Sequence, residues 1–427
     1  MLTLFVNKIT NKLALAARCS GVLTASRNFN RRKVGFTFLV ALSMAAIVIV
    51  APTSDKIAMP LTNTTELRGV WLTNIDSDVL FEPHHLTKAL QRLRELNFNT
   101  VYPTVWNWGY TLYPSPVAKR VIGRSLDPTP GLQGRDILKE IVQGHQKGMS
   151  VIPWFEFGFM APEDSDLAKR HPDWLTSRRD GTQIWKEGPH NRVWLNPFRP
   201  EVQQFIQDLV VEIVSNYDVD GIQFDDHFGI PSELGYDAFT VELYKKEHLG
   251  HLPPANPQDP SWVRWRSNKI TDFMTRIFRA VKNRKPKCLI SLAPNPQAFS
   301  YNYSLADWES WEQQGLIEEL IVQVYRDDLS HFIAELDRPE VQAARRHIPV
   351  SIGILTGVKN QFVPTAKIQN QLGAVRNRGF AGVSFFYYET LWNLAKEKPS
   401  ERQAAFQGLF PASVERPNVL DGWTPSN

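Results

Sequence analysis

From Leu67 onward, eight short apolar runs alternate with amphipathic stretches of helical period, and that alternation leaves few folds open. The strand-like runs are 67–75, 100–106, 150–157, 221–226, 288–293, 319–325, 349–355 and 382–388. Between them, 86–96, 202–214, 270–281 and 366–375 carry apolar residues three and four apart; the second does so with Val202, Phe205, Ile206, Leu209, Val210 and Ile213. Strands that alternate with helices pair in parallel, and eight of them close a barrel. The fold class is therefore α/β, a (β/α)8 TIM barrel. An open doubly wound sheet is the alternative, disfavoured because no Gly-x-Gly-x-x-Gly turn follows the first run. Two connections are long, 159–200 after the third run and 229–262 after the fourth. Loops longer than about 15 residues are usually functional, so both are expected to wall the carboxyl end of the barrel.

The amino-terminal part differs in kind. Residues 1–33 hold seven Lys and Arg and no acid, and removing those seven from the chain's 48 leaves 41 basic against 44 acidic residues. A mildly acidic remainder carries no nucleic-acid footprint. The segment 34–52 begins with an uncharged run from Val34 to Val50, the pattern of an export signal or a membrane anchor that would tie the protein to a membrane if uncleaved. Residues 53–65 read as a polar linker, 66–400 as the barrel domain and 401–427 as a Pro-rich tail expected to fray. Cys288 stands alone in the barrel domain at the start of an apolar run, as a packed core thiol would.

Reactive side chains of parallel barrels sit at strand carboxyl ends. Here those ends carry acids: Glu156 on the third run, Asp225 and Asp226 on the fourth, and Glu389 just after the eighth. Cleavage of a glycosidic bond commonly takes two carboxyl groups flanking it, one of them a proton donor. Asp225 shares pleat parity with Gln223 and is the fourth-strand residue expected to act, with Asp226 capping the loop or pairing with a base such as His227. Glu156 sits among Phe155 and Phe157, both expected to face the helices, and an aromatic shell would raise its pKa as a general acid requires, with a buried Glu paired to an Arg as its alternative. Glu389 is the third catalytic candidate, with a helix-capping role as its alternative; Asp76 reads as a turn former. For substrate binding the candidates are Asn74, Trp106, Trp154, Asp226, His227, Asn295, Gln323, Tyr325 and Tyr387, which offer flat rings for sugar faces and donors for hydroxyls. Barrel aromatics and amides that merely fill the core would look the same. No second histidine stands at ligand spacing from His227, so it reads as a hydrogen-bond partner, and no metal or cofactor is expected.

Several ordered motifs resemble one family. Leu67-Arg-Gly-Val-Trp-Leu-Thr-Asn74, Asn97-Phe-Asn-Thr-Val-Tyr102, His171-Pro-Asp-Trp174, Trp194-Leu-Asn-Pro197 and Asp220-Gly-Ile-Gln-Phe-Asp-Asp226 are similar to hallmarks of the bacterial glycosyl hydrolase-like family ten, over roughly Glu66 to Glu389. The resemblance implies a TIM barrel, an exported periplasmic or cell-surface protein, and a glycoside hydrolase acting on cell-wall glycan or a related polysaccharide, including strands stripped of peptide. It points to Asp225 as catalytic. His227-Phe228 stands where many relatives carry tyrosine and phenylalanine, which implies a shift in substrate preference. A non-catalytic, membrane-tethered glycan-binding barrel is the rival expectation, and a metal-dependent hydrolase of another bond type is a third.

Overall fold

A computed structural model describes residues 65–143 and 148–425. The arm, the apolar segment 34–52 and all of the linker before Thr65 lie outside the described residues. No described helix is long and apolar enough to cross a membrane.

The eight expected runs are the eight strands of one parallel sheet: β1 Leu67–Leu72, β2 Thr100–Pro103, β3 Ser150–Val151, β4 Gly221–Asp225, β5 Leu289–Ala293, β6 Glu319–Gln323, β7 Val350–Leu355 and β8 Gly382–Phe386. Their order runs β3-β2-β1-β8-β7-β6-β5-β4. Pro153 lacks an N–H and cuts β3 short. The ring nevertheless closes by backbone bonds: Asp220 N donates to Val151 O at 3.0 Å, Gln223 N to Pro153 O at 2.8 Å and Phe155 N to Gln223 O at 2.9 Å. Nearly every strand residue is buried because helices cover the outer face and side chains fill the inner one.

The helices follow their periodicity. In α1, Pro83–Glu95, a proline opens the first turn and Leu86, Ala89, Leu90 and Leu93 turn inward. In α2, Pro200–Asn216, seven apolar residues face the sheet. In α3, Pro260–Arg284, the Asp259 carboxylate caps the backbone N–H of Ser261 at 2.9 Å. Cys288 is buried, as expected of a core thiol.

Inside the barrel, Trp71, Tyr102, Ile152, Trp154 and Ile321 pack with Phe386. A polar thread runs through them. Trp71 Nε1 donates to Gln223 Oε1 (2.7 Å), Gln223 Nε2 to Ser291 Oγ (2.9 Å), and both Ser291 Oγ and Tyr102 Oη to Glu319 Oε1 (2.8 and 3.0 Å). It ends on Arg416, whose Nη2 donates to Glu319 Oε2.

The expectation that 401–427 frays is corrected here. Helix α4, Pro399–Leu409, buries Phe406, and the chain after it crosses the amino-terminal end of the barrel. Phe410 packs on Phe98 at 5.3 Å, Ala412 O accepts from Arg68 Nη1 at 2.6 Å, and Glu415 O accepts from Glu66 N at 2.9 Å. Proline punctuation at Pro411 and Pro417 marks bends, not the end of packing.

The long connections are structured. After β3, Met160–Pro162, Trp185–Glu187 and His190–Trp194 form a three-stranded antiparallel sheet. After β4, a helix spans Ala238–Glu247, and Arg266 of α3 ties the loop down through the carbonyls of Ser232, Leu234 and Pro257.

Candidate active site

Two carboxyl groups meet at the carboxyl end of the barrel. Glu156 and Asp225 line one cleft of about 80 Å3 together with Trp154, Asp226, His227 and Asn295. Gln323, Phe386 and Phe157 are also in its wall. Of the two rings flanking Glu156, Phe155 packs outward against Phe224 at 5.5 Å as expected, but Phe157 turns into the cleft. Backbone pairing runs on past Pro153, with Phe155 N bonding Gln223 O at 2.9 Å, and the chain leaves the pleat at Gly158, which turns at φ +47°.

Glu156 is buried, and three donors converge on one of its oxygens. Thr73 Oγ1, Thr104 Oγ1 and Asn107 Nδ2 all reach Oε2, at 2.9, 2.8 and 2.9 Å. These come from the ends of β1 and β2 and the turn beyond. With Oε2 saturated as an acceptor, a proton on this carboxyl belongs on Oε1. Burial pushes the pKa up to about 7; the threonine hydrogen bonds oppose this and the charge of Asp225 adds to it. Asn74 acts behind this arrangement: its Oδ1 accepts from Asn107 Nδ2 at 2.8 Å and so fixes the amide that holds Glu156.

Asp225 ends β4. Its Oδ2 accepts from Trp154 Nε1 at 3.1 Å, and its Oδ1 accepts from the backbone N and the ring Nδ1 of His227 at 2.8 and 3.0 Å. Burial works against charge on the imidazole, but the adjacent Asp225 carboxylate outweighs it and carries His227 up to about 9. The imidazole edge that Asp225 leaves unused is part of the cleft wall. Gly158 permits this geometry. At φ +47° its backbone passes so close to His227 that a Cβ would stand 2.1 Å from the His227 carbonyl oxygen, which accepts from Phe159 N at 2.9 Å.

Asp226 opens the 3-10 turn that follows β4, and its carboxylate reaches the loop after β5. It takes Asn295 N at 2.9 Å, Asn295 Nδ2, and Ser300 Oγ at 2.5 Å, and so fastens the loop after β5 to the end of β4. Gln323 Nε2 donates to Ala293 O at 2.6 Å. Tyr325 and Tyr387 stand against Phe386 at 5.9 and 5.1 Å, their hydroxyls buried with no hydrogen-bond partner among the described residues. Burial, with the charges of Asp225 and Glu156, holds the Tyr325 phenol well above its usual range.

Two expected members are elsewhere. Trp106 is fully buried in the outer layer, its Nε1 on Gly158 O at 2.8 Å and its ring against Phe205 of α2 at 5.6 Å. Thr104 N and Val105 N still bond Leu72 O and Trp154 O, at 2.9 and 3.0 Å; beyond them Trp106–Asn107 pairs with Tyr110–Thr111 and the indole lies outward. Glu389 does not join Glu156 and Asp225. It lines a separate cavity and accepts from Ser77 Oγ at 3.2 Å and Asn393 Nδ2 at 2.6 Å. Of the two long loops expected to wall the site, the one after β3 does so, with Glu187 and Arg192, while 229–262 contributes no lining residue. Arg192 lies over the Trp108 ring at 4.3 Å and donates to Glu187 Oε2 at 3.0 Å.

An acid that holds its proton near neutrality, beside a second carboxylate in the same dry cleft, can protonate a leaving oxygen while its partner attacks or activates water. If Glu156 is that acid, activity requires it protonated, so kcat/KM falls as pH rises through about 7. A pH profile with a flat response from about pH 6 to 9 would remove Glu156 from that role.

Comparison with known proteins gives three results. The family described as Glycosyl hydrolase-like 10 matches residues 66–373. Glycosyl hydrolase DigH of Escherichia coli O6:H1 is 26% identical over 302 residues, which cover 61% of this chain and 65% of that protein. Glycosyl hydrolase YngK of Bacillus subtilis strain 168 is 24% identical over 326 residues, covering 67% of this chain and 59% of that one. The chain thus spans less than two thirds of the length of these curated relatives. Among solved structures, the PgaB (BpsB) glycoside hydrolase domain from Bordetella bronchiseptica superimposes with a TM-score of 0.55 at 13% identity, covering 78% of this chain and 100% of that domain, a likeness of fold.

Proposed function

This chain belongs to the glycosyl hydrolase-like 10 family, and on that premise we propose that it is an exported enzyme that hydrolyses an O-glycosidic bond in a bacterial cell-wall or related polysaccharide. The observation that carries the proposal is Glu156: a buried carboxyl lifted to about 7, with its free oxygen in the same cleft as Asp225. Glu156 donates the proton to the leaving oxygen. Asp225, held by Trp154 and His227, is the carboxylate that either attacks the anomeric carbon or activates the water that does. His227 keeps Asp225 oriented and balances its charge, and Asp226 and Asn74 position the elements around the pair. Trp154 and Phe386 offer flat surface to the sugar ring. The basic arm and the apolar run of 34–52 support export.

The test is incubation of the purified protein with a glycan panel that includes peptide-free wall strands, with products read by mass spectrometry. New reducing ends are expected, and the anomer of the fresh product, read by proton NMR, assigns nucleophile or base to Asp225. Binding to glycans with no product from any of them would favour the non-catalytic barrel instead. Cell fractionation that leaves the protein in the cytoplasm would overturn export.

A further inference from the structure

Beside the cleft lies a larger cavity of about 510 Å3, bounded by the segment after β1, one face of α1 and the helix Tyr388–Trp392. The linings of the two spaces adjoin along the chain. Ile75 lines the cleft and Asp76 the cavity; Phe386 lines the cleft and Tyr388 the cavity. The cleft has room for the atoms of one bond, whereas the cavity is in the range of about 300–1,000 Å3 typical of small-molecule sites.

The charges on the cavity wall are unevenly partnered. Every carboxyl group there is engaged: Asp76 with Lys359 Nζ at 3.1 Å, Asp78 with His85 Nδ1 at 3.0 Å, and Glu389 with Ser77 and Asn393. Lys88 and Arg92, one turn apart on the same face of α1, make no ion pair among the described residues. The Arg92 guanidinium is held in place over the Trp392 ring at 5.5 Å, and its one hydrogen bond among the described residues is a long 3.5 Å contact to Tyr388 Oη. Two cations at the wall of a ligand-sized space, Arg92 held by Trp392 and Lys88 exposed beside it, with the neighbouring acids hydrogen-bonded or paired, are complementary to a carboxylate on the ligand.

We propose that this cavity is a subsite for a sugar that carries a carboxylate, with Lys88 and Arg92 receiving that group. The proposal rests on the glycoside hydrolase reading and deepens it by naming the substituent that is recognised. Lactyl ethers and uronic acids both supply such a carboxylate.

Binding without turnover tests it, by calorimetry of the full chain carrying Asp225→Asn. Three probes are used: peptide-free wall glycan strands (lactyl ether), oligogalacturonate (uronic acid) and a neutral chitin oligosaccharide. Adding Lys88→Glu, a change at an exposed position that leaves the core untouched, is expected to weaken at least one acidic probe by about tenfold, the size of one charge-assisted contact, and to leave the neutral probe unchanged. Arg92→Gln should act in the same direction. Whichever acidic probe responds identifies the source of the carboxylate. Equal affinities of both variants and the parent for both acidic probes, or an equal loss on the neutral probe, would overturn the subsite. Such a result leaves cleavage by the wild type standing, while a wild type that cleaves no glycan but shows the Lys88 effect sinks the hydrolase reading alone.

Discussion

Asp225→Asn will lower kcat/KM on any glycan the wild type cleaves by about a thousandfold or more, because the variant keeps the side chain's size but loses the negative charge the reaction needs. Circular dichroism should stay that of the wild type, since the amide oxygen can still accept from His227 N, while the melting temperature falls modestly because the amide nitrogen meets the Trp154 Nε1–H donor. Full activity in this variant would refute the assignment. Glu156→Gln separates catalysis from stability in the opposite way. The folded-state pKa of Glu156, about 7, exceeds its ordinary value of 4.5, so its contribution to stability is complete below 4.5 and is lost as pH rises through 7. The amide introduced by Glu156→Gln does not ionise. The variant should therefore be inactive yet more stable than the wild type at about pH 8, by on the order of 2 kcal/mol, read as a higher midpoint in urea. A lower midpoint at that pH would mean that the carboxylate is better accommodated than its burial implies.

Arg416→Met is expected to destabilise the domain by about 3–5 kcal/mol, although Arg416 is far from the cleft. Its guanidinium is the cation opposite Glu319, which is buried at the start of β6 and also accepts from Tyr102 and Ser291. Removing one partner leaves the other charge buried without compensation. The double variant Arg416→Met with Glu319→Gln should recover part of the loss, and the coupling is measurable as a double-mutant cycle. If Arg416→Met alone changes the stability read in urea by less than about 0.5 kcal/mol, the pair is not the closure it resembles.

The barrel was legible because its information is local and repeated: each strand and each helix announces itself by period, and the count of eight leaves little choice. The pair of acids was legible for the same reason, since a strand end and pleat parity place Asp225 from the sequence 220–226 alone. What could not be read depends on distance. Thr73, Thr104 and Asn107 are small polar residues with no pattern of their own, and they matter because three chain segments bring them to one oxygen of Glu156. Trp106 has the signature of a strand-end aromatic, but a two-residue hairpin turns it outward. Arg416 and Glu319 are 97 residues apart, and no local signal in a Pro-rich segment marks one as the other's counterion. Lys88 and Arg92 fit a solvated helix face equally well until the helix after β8 encloses the space beside them.

The crossing of the carboxyl-terminal segment beneath the barrel also bears on how the molecule is made. β1 is made well before its neighbours, since Ala381 to Phe385 and the Glu415 carbonyl that bonds Glu66 lie far later in the chain. The first strand must wait, half its hydrogen bonds open, until β8 and the segment through Glu415 have been made. Such long-range closure makes for slow folding and a long exposure to aggregation. A nascent chain of this kind is suited to being held unfolded by a chaperone until its eighth strand emerges.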